Sequence, residues 1–148
     1  MCDEALLSRH FSCLIAAFLS ATRLSFADQA IDLGGAVTIE AGTATPSPRG
    51  GKTIIRFTIV NDAPSRLRLS GITTPVASAA RLVGRIGIDE VTVMDSIGVS
   101  SGERLDLTTS HLWYEAYPVV RDLAPGDTFK ITLDFVDSKL TVPIHVHG

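Results

Sequence analysis

The sequence predicts an all-β fold, a Greek-key β-sandwich of the immunoglobulin-like type. Short runs of alternating apolar and polar residues follow one another along the chain, and Gly, Pro, Asn, Asp and Ser separate them. No stretch has an apolar period of 3.6 residues over a length that would support a helix. The chain of 148 residues is long enough to bury one core, and nothing in it indicates an internal repeat or a second domain.

The first 27 residues are typical of a secretory signal peptide. Arg9 precedes an apolar run over residues 11–21 that is too short to span a bilayer comfortably, and Ser25-Phe-Ala27 offers a small-x-small cleavage site. We therefore expect residues 28–148 to form a single domain in the periplasm, with no membrane attachment after cleavage. An uncleaved anchor is the alternative, because two acidic residues precede Arg9.

Removal of residues 1–27 changes the chemistry that the chain can carry. Both cysteines, Cys2 and Cys13, lie in this segment, so the mature domain has no disulfide, no thiolate metal site and no cysteine nucleophile. Two basic and two acidic residues are lost together, and the net charge stays at −3. The remaining basic residues are scattered singly along the sequence, which argues against nucleic acid as a partner.

The strands are predicted from alternation, which is clearest in two runs. Ile55, Phe57 and Ile59 share one side of the run 52–60, as expected for a strand with one face in the core. In the run 128–135 every second residue is again apolar, from Phe129 to Phe135. The predicted strands span residues 36–43, 52–60, 66–73, 81–88, 90–95, 103–108, 111–119, 128–135 and 139–145.

The segments between the strands contain turn-forming residues. Residues 46–51 read Pro-Ser-Pro-Arg-Gly-Gly and predict a loop, and residues 61–65 read Asn-Asp-Ala-Pro-Ser and predict a turn. Residues 124–127 read Ala-Pro-Gly-Asp, in which proline fixes φ at the first central position and glycine accepts a positive φ at the second. These turns place consecutive strands side by side.

The most informative segment is Leu107-Thr-Thr-Ser-His-Leu-Trp-Tyr114, followed by a run in which Gly126-Asp127 precedes Leu133-Asp-Phe135. This layout resembles the PCuAC family of periplasmic copper chaperones, which have cupredoxin-like domains and carry a His-x-Met motif on a strand. The resemblance extends over roughly residues 36–144 and implies a cupredoxin-like sandwich. It also implies that copper, as Cu(I), is handed to the copper centre of a respiratory oxidase or to the assembly factors of that oxidase.

The family spacing H-x10-M-x21-H-x-M assigns candidate metal ligands to this chain. It places Met94 at the first methionine and His111 at the second histidine, whereas Val83 and Trp113 occupy the other two ligand positions. Only Met94 and His111 of these four can bind a metal ion. The interval between them holds sixteen residues, five fewer than in the family motif. The resemblance therefore implies a copper site with two of its four ligands.

Two other interpretations of this edge follow from the residues themselves. Met94 lies at the end of an apolar strand, where methionine commonly fills a gap in the core. The chain could then be a metal-free relative that acts as a protein-interaction module, with Trp113 covering the former metal position. Alternatively, Trp113 could cap a bound copper ion through a cation–π contact.

The C-terminal sequence Pro143-Ile-His145-Val-His147-Gly148 offers a separate candidate metal site. On an extended strand His145 and His147 project to the same face and could chelate one ion. Neutral imidazole suits Cu(II), Zn(II) or Ni(II), so this pair would make the protein a buffer for divalent metal ions. The alternative is a frayed chain end with two solvated histidines.

No catalytic signature is present, and we assign no enzymatic activity. Ser110 and His111 are adjacent in sequence, but successive residues of a strand point to opposite faces, so the pair cannot form the hydrogen bond that activates a serine nucleophile. Glycine pairs at 34–35 and 50–51 are not followed by a helix, so they do not form a phosphate-binding loop.

Export should remove the N-terminal segment and both cysteines. When the gene is expressed in a Gram-negative host, intact-mass measurement of periplasmic protein should show a chain that starts at Asp28 and reacts with no thiol reagent. Full-length protein in the inner membrane would instead support the uncleaved anchor.

Overall fold

The computed structural model describes residues 36–136 and 138–148, and these residues form strands and turns without any helix. The all-β class predicted from the sequence is therefore confirmed. The signal peptide and both cysteines fall on residues 1–27, outside the described residues. The described part of the chain contains no helix long and apolar enough to cross a membrane. The strands are β1 (Val37–Ala44), β2 (Thr53–Asn61), β3 (Leu67–Thr73), β4 (Ala77–Ile86), β5 (Glu90–Met94), β6 (Ile97–Val99), β7 (Arg104–Asp106), β8 (Leu112–Val119), β9 (Thr128–Phe135) and β10 (Ser138–Val146).

Most strand ends lie within two residues of the prediction, but the start of β4 and the presence of β6 differ from it for physical reasons. β4 begins at Ala77, four residues before the predicted start, because Ala77 already pairs with Val119 on β8. The residues at 77–80 are small, so they give no apolar alternation that would reveal a strand. β6 was not predicted, since three residues are too few to show a period of two.

Hydrogen bonding joins the strands into one nearly closed sheet, in the order β5-β4-β8-β2-β1-β10-β9-β3-β6, with β7 paired to β2. The two ends of this path, β5 and β6, are separated in the chain only by Asp95 and Ser96. The chain therefore pairs with β4 along β5 and, after only two residues, pairs with β3 along β6. This short crossing connects the two ends of the strand order along the chain.

Two arginines, Arg68 on β3 and Arg66 just before it, contact the segment that forms β6. The Nε atom of Arg68 donates a hydrogen bond of 3.0 Å to the Oγ atom of Ser96. The guanidinium group of Arg66, just before β3, lies directly over Gly98, where a Cβ atom would collide with it. Glycine at 98 therefore lets this long side chain lie across the backbone of β6.

The C-terminal strand lies inside the sheet, which corrects the prediction of a frayed end. β10 pairs in parallel with β1 and antiparallel with β9. Ile144 and Val146 are buried, and the backbone N–H of His147 donates to the carbonyl oxygen of Ala44 at 2.9 Å. Because strands on both sides satisfy its backbone, the end of the chain is held as firmly as a central strand.

The core is formed by the faces that the alternation predicts. On β2, Ile55, Phe57 and Ile59 are fully buried. The apolar residues of β9 are fully or almost fully buried. The predicted Pro-Gly turn is also present, with Gly126 at φ +95° and the N–H of Asp127 bonded to the carbonyl of Ala124. The outward face of β2 carries Arg56, which becomes important for the site.

Tyr114 is the largest fully buried side chain among the described residues. Its ring stacks on that of Phe57, with centroids 5.9 Å apart and planes inclined by 12°. The buried hydroxyl has no hydrogen-bond partner within the described residues, and burial raises the pKa of this phenol. An unpaired buried hydroxyl costs free energy that the ring contact must offset.

We expect Tyr114→Phe to stabilise the protein, because the substitution removes the unpaired hydroxyl and keeps the stacked ring. The free energy of unfolding should rise by about 1 kcal/mol, measured by urea denaturation. Tyr117→Phe is the control, since Tyr117 is only half-buried and should give little change. A marked loss of stability in Tyr114→Phe would show that the hydroxyl has a hydrogen-bond partner.

Candidate functional site

The two family ligand positions that carry no metal-binding side chain are neighbours in the structure. Val83 on β4 lies directly opposite Trp113 on β8, so both side chains project to the same face of the sheet. That face is the outer one, because Leu82 and Tyr114, the next pair in the register, face the core. Val83 and Trp113 are nonetheless buried, because other side chains cover them.

Two arginines cover Trp113. The guanidinium carbon of Arg56 on β2 lies 5.4 Å from the centroid of the Trp113 ring, and that of Arg85 on β4 lies 5.7 Å from it. Such cation–π contacts contribute about 0.5–2 kcal/mol each, more as the cation is desolvated. The edge that the family motif assigns to a metal ion thus carries two fixed positive charges beside an indole ring.

Arg56 also fixes the loop that carries His111. Its Nη1 atom donates to the carbonyl oxygen of Leu107 at 2.9 Å and lies 3.4 Å from that of Leu112. At the start of the loop the carboxylate of Asp106 accepts hydrogen bonds from the side chain and the backbone N–H of Thr108. These bonds lower the pKa of the Asp106 carboxyl, and the bond from the Thr108 side chain has the largest effect.

His111 is exposed at the end of this ordered loop. Its carbonyl oxygen accepts a hydrogen bond of 2.9 Å from the backbone N–H of Arg85, which places His111 beside Arg85 at the start of β8. The imidazole is therefore open to solvent and next to a guanidinium-bearing residue.

Met94 lies on the core-facing side of β5, apart from His111. Its partner across the strand pair is Leu82, which in turn faces Tyr114. The sulfur of Met94 and Cδ2 of Leu112 lie over Gly84, 3.2 and 3.0 Å from the point that a Cβ atom there would occupy. The thioether thus packs against apolar atoms at the margin of the core.

The register separates Met94 from His111. Met94 is level with Tyr114, which lies three residues beyond His111 on β8, and β4 lies between β5 and β8. Strand geometry puts the two residues about 10 Å apart along the strands and about 10 Å apart across them. The structure therefore does not bring Met94 and His111 to one coordination sphere.

The tail histidines lie on the outer face of the sheet at ordered positions. His145 is in register with Thr43 on β1 and with Thr128 on β9, and its Nδ1 atom is 3.3 Å from the Thr128 hydroxyl. His145 and His147 are exposed while Val146 between them is buried. The alternation shows that both imidazoles lie on the solvent side, as the strand period requires.

No cluster of three or more His, Cys, Asp or Glu side chains able to hold a metal ion is found in residues 36–136 and 138–148. A metal site in this part of the chain would use two protein ligands of these types or draw on Met94. Solvent or a second molecule would complete the coordination sphere. The structure leaves the metal roles of Met94, His111, His145 and His147 as predictions.

A buried carboxylate next to Trp113 was not singled out by sequence reasoning. The side chain of Glu115 is only 8% exposed and accepts bonds from Trp113 Nε1 at 3.2 Å, Arg81 at 3.0 Å and Lys52 at 3.3 Å. Burial alone would raise the pKa of the Glu115 carboxyl, but the bonds from Trp113, Arg81 and Lys52 outweigh that effect and lower it. The sequence does place Glu115 two residues after Trp113, which puts both side chains on the same face of a strand and could have indicated their contact.

Comparison with solved structures shows that the fold is that of PCuAC domains, as expected from the sequence. The copper-bound PCuAC domain from PmoF2 matches with a TM-score of 0.64 and 19% sequence identity, covering 77% of this chain and 94% of that one. The apo PCuAC domain from PmoF1 matches with a TM-score of 0.64 at 12% identity, covering 80% and 98%. Cu(I)-bound DR1885 from Deinococcus radiodurans matches with a TM-score of 0.56 at 23% identity, covering 77% and 81%. No protein-family model matches the chain, and no curated protein sequence matches it.

Glu115→Gln should destabilise the protein, because the amide keeps the volume but loses the charge that three donors converge on. At pH 7 the free energy of unfolding should fall by about 1–3 kcal/mol. Since the folded pKa is lowered from 4.5, this contribution is present above pH 4.5 and disappears as the pH falls through the folded value.

Urea denaturation of wild-type and Glu115→Gln at about pH 7 and about pH 3 tests this expectation, with a smaller difference at the lower pH. Glu40→Gln is the matched control, since the ion pair of Glu40 with Arg104 is exposed and should contribute little. A loss in Glu115→Gln that is the same at both pH values would mean that packing, not charge, gives Glu115 its effect.

Proposed function

We propose that this protein is an exported copper-binding protein that carries copper as cargo, in the manner of PCuAC chaperones. The support is twofold. The chain has the fold of domains whose structures are described as copper-bound, and exposed imidazoles occupy ordered positions on that fold. Export to the periplasm follows from the predicted signal peptide, which also leaves histidine and methionine as the only soft or borderline ligands of the mature chain.

The pair His145 and His147 carries this proposal. Both imidazoles are exposed. His145 lies on β10, and His147 lies one residue beyond its end with its backbone N–H bonded to Ala44, so binding a metal ion does not require an unstructured tail to become ordered. Two imidazoles suit Cu(II) and leave coordination positions for water or a partner's ligands. An open coordination sphere of this kind favours transfer of the ion over permanent storage.

The edge with Met94 and His111 supplies at most one ligand to any one ion. The positive charges of Arg56 and Arg85 lie beside Trp113 on this edge, and like charges repel a metal cation. Met94 packs against Leu112, away from the outer face. We therefore propose that copper binds at the tail, and that any delivery of Cu(I) towards a respiratory oxidase involves ligands from the receiving protein.

A metal-free interaction module is the second candidate function. The burial of Trp113 beneath Arg56 and Arg85 favours it, because a stable polar and aromatic cluster now occupies the position of two family ligands. In that case the protein would keep the fold of copper-bound PCuAC domains without carrying the ion. Metal titration separates the two candidates.

Titration of the exported chain with Cu(II), followed by NMR, should perturb the signals of His145 and His147 first and leave Met94 unchanged. The double variant His145→Ala/His147→Ala should lose saturable Cu(II) binding and keep its fold, because both side chains are exposed. Affinity should also fall when the pH is lowered from about 7.5 to about 5.5, since protonated imidazole cannot bind a metal ion.

Met94→Ala and His111→Ala are the matched controls, and each should bind Cu(II) as the wild type does. Tight Cu(I) or Cu(II) binding that survives loss of the tail pair and disappears in either control variant would place the site at the family edge instead. If the wild type binds neither form of copper, the metal-free module becomes the supported function.

A further inference from the structure

A cleft of about 480 Å³ lies where β3 pairs with β6. The residues that line it are Arg66, Leu67, Arg68, Ser96 and Gly98. Its volume falls within the range of roughly 300–1,000 Å³ that is typical of small-molecule sites. The polar side chains of the lining are two guanidinium groups and one hydroxyl, all of which donate hydrogen bonds, so the cleft favours an anion.

Arg66 lies across the backbone of β6. The Nε and Cζ atoms of its side chain are 2.7 and 2.8 Å from the point that a Cβ atom of residue 98 would occupy, so only glycine leaves room for them. No hydrogen bond or ion pair joins this guanidinium group to another of the described residues. Its N–H groups are therefore available to a ligand in the cleft.

Arg68 lies beside it and contacts the same segment. Its partner across the strand pair is Gly98, and its Nε atom donates a hydrogen bond of 3.0 Å to the Oγ atom of Ser96. Because this oxygen accepts the bond, the serine O–H can still donate to a ligand. Ser96 and Gly98 are two residues apart in sequence, so the two guanidinium groups lie over positions about 7 Å apart.

The positive charges of the cleft have no partner in the described part of the chain. Neither arginine forms an ion pair with a carboxylate there. Asp95, which precedes Ser96, is exposed and likewise takes part in no such ion pair, and the carboxylate of Glu103 accepts the backbone N–H of Ser100 at 2.7 Å. The two guanidinium groups repel each other, and an anion bound between them would offset that repulsion.

We propose that this cleft binds a phosphate group, either as the free ion or as part of a phosphate ester such as a lipid headgroup. A phosphate monoester carries nearly two negative charges at neutral pH, and its oxygens point in several directions. They can accept from Arg66, Arg68 and the Ser96 hydroxyl at once. A carboxylate is planar and carries one charge, so it would match only one of the two guanidinium groups.

Titration of the metal-free exported chain with inorganic phosphate at about pH 7.5 tests the proposal, because the tail imidazoles are largely neutral there. The NMR signals of the Arg66 and Arg68 Nε–H groups and of the Gly98 amide should shift together and reach saturation. Sodium chloride at the same ionic strength should not produce these shifts, and acetate should bind more weakly than phosphate.

Two variants separate a built site from general attraction by positive charge. Arg66→Gln should weaken phosphate binding by about tenfold, as expected for the loss of a charge-assisted hydrogen bond. Gly98→Ala keeps every charge but displaces the Arg66 side chain, and it should weaken binding to a similar extent. Alanine fits the backbone at this position, since Gly98 does not have a positive φ.

Arg49→Gln is the matched control, because Arg49 is exposed and does not line the cleft. It should bind phosphate as the wild type does. Flotation with phosphatidylglycerol vesicles identifies the source of the phosphate group. Flotation that is lost in Arg66→Gln and in Gly98→Ala would assign a lipid headgroup, whereas binding of inorganic phosphate without flotation would assign a free ion or a soluble ester.

The proposal would be overturned if neither inorganic phosphate nor the vesicles bind. Unchanged binding in Gly98→Ala, or a loss in Arg49→Gln equal to that in Arg66→Gln, would overturn it as well. The protein is free of metal throughout, so failure of phosphate binding would leave the copper proposal intact. Failure of copper binding would in turn leave the phosphate site intact.

Discussion

The antiparallel register between β4 and β8 determines what this protein can present at its outer edge. Leu82 and Tyr114 form one pair of that register and face the core, so the next pair, Val83 and Trp113, must face outward. A shift by one residue would turn the first pair outward and the second towards the core, and the fully buried ring of Tyr114 would leave the core. Core packing therefore fixes the face on which the two family ligand positions lie.

With that face fixed, the side chains around Trp113 form one connected cluster. Trp113 donates to Glu115, Glu115 accepts from Arg81 and Lys52, and Arg56 links the ring to the loop before β8. A buried carboxylate is costly unless several donors satisfy it, and here three do. The cluster combines positive charge with an aromatic surface at the two positions, Val83 and Trp113, that the sequence resemblance aligns with family metal ligands.

The sequence predicted the class of fold and the two clearest core faces, because alternation of apolar and polar residues over eight positions identifies a strand without knowledge of the strands it pairs with. It could not show that Met94 and Val83 face opposite sides, since that depends on the register of β5 against β4. The contact of Arg56 with Trp113 was hidden for the same reason, as it joins residues far apart in sequence. β10 was predicted as a strand, but its central place follows from a parallel pairing with β1 that no local pattern reveals.

The tail histidines and the arginines beside Trp113 lie on one face of the sheet, so a metal ion at the tail would interact with their charges. Thr43 is in register with Arg56 on one side and with His145 on the other, which puts the tail histidine about 10 Å from Arg56. A divalent ion at that distance from one positive charge is repelled by about 0.8 kcal/mol in water before screening. The Debye length at physiological salt is about 8 Å, which reduces this further. The repulsion is small compared with the binding of a metal ion by two imidazoles, so metal at the tail and a positive edge at Trp113 can coexist.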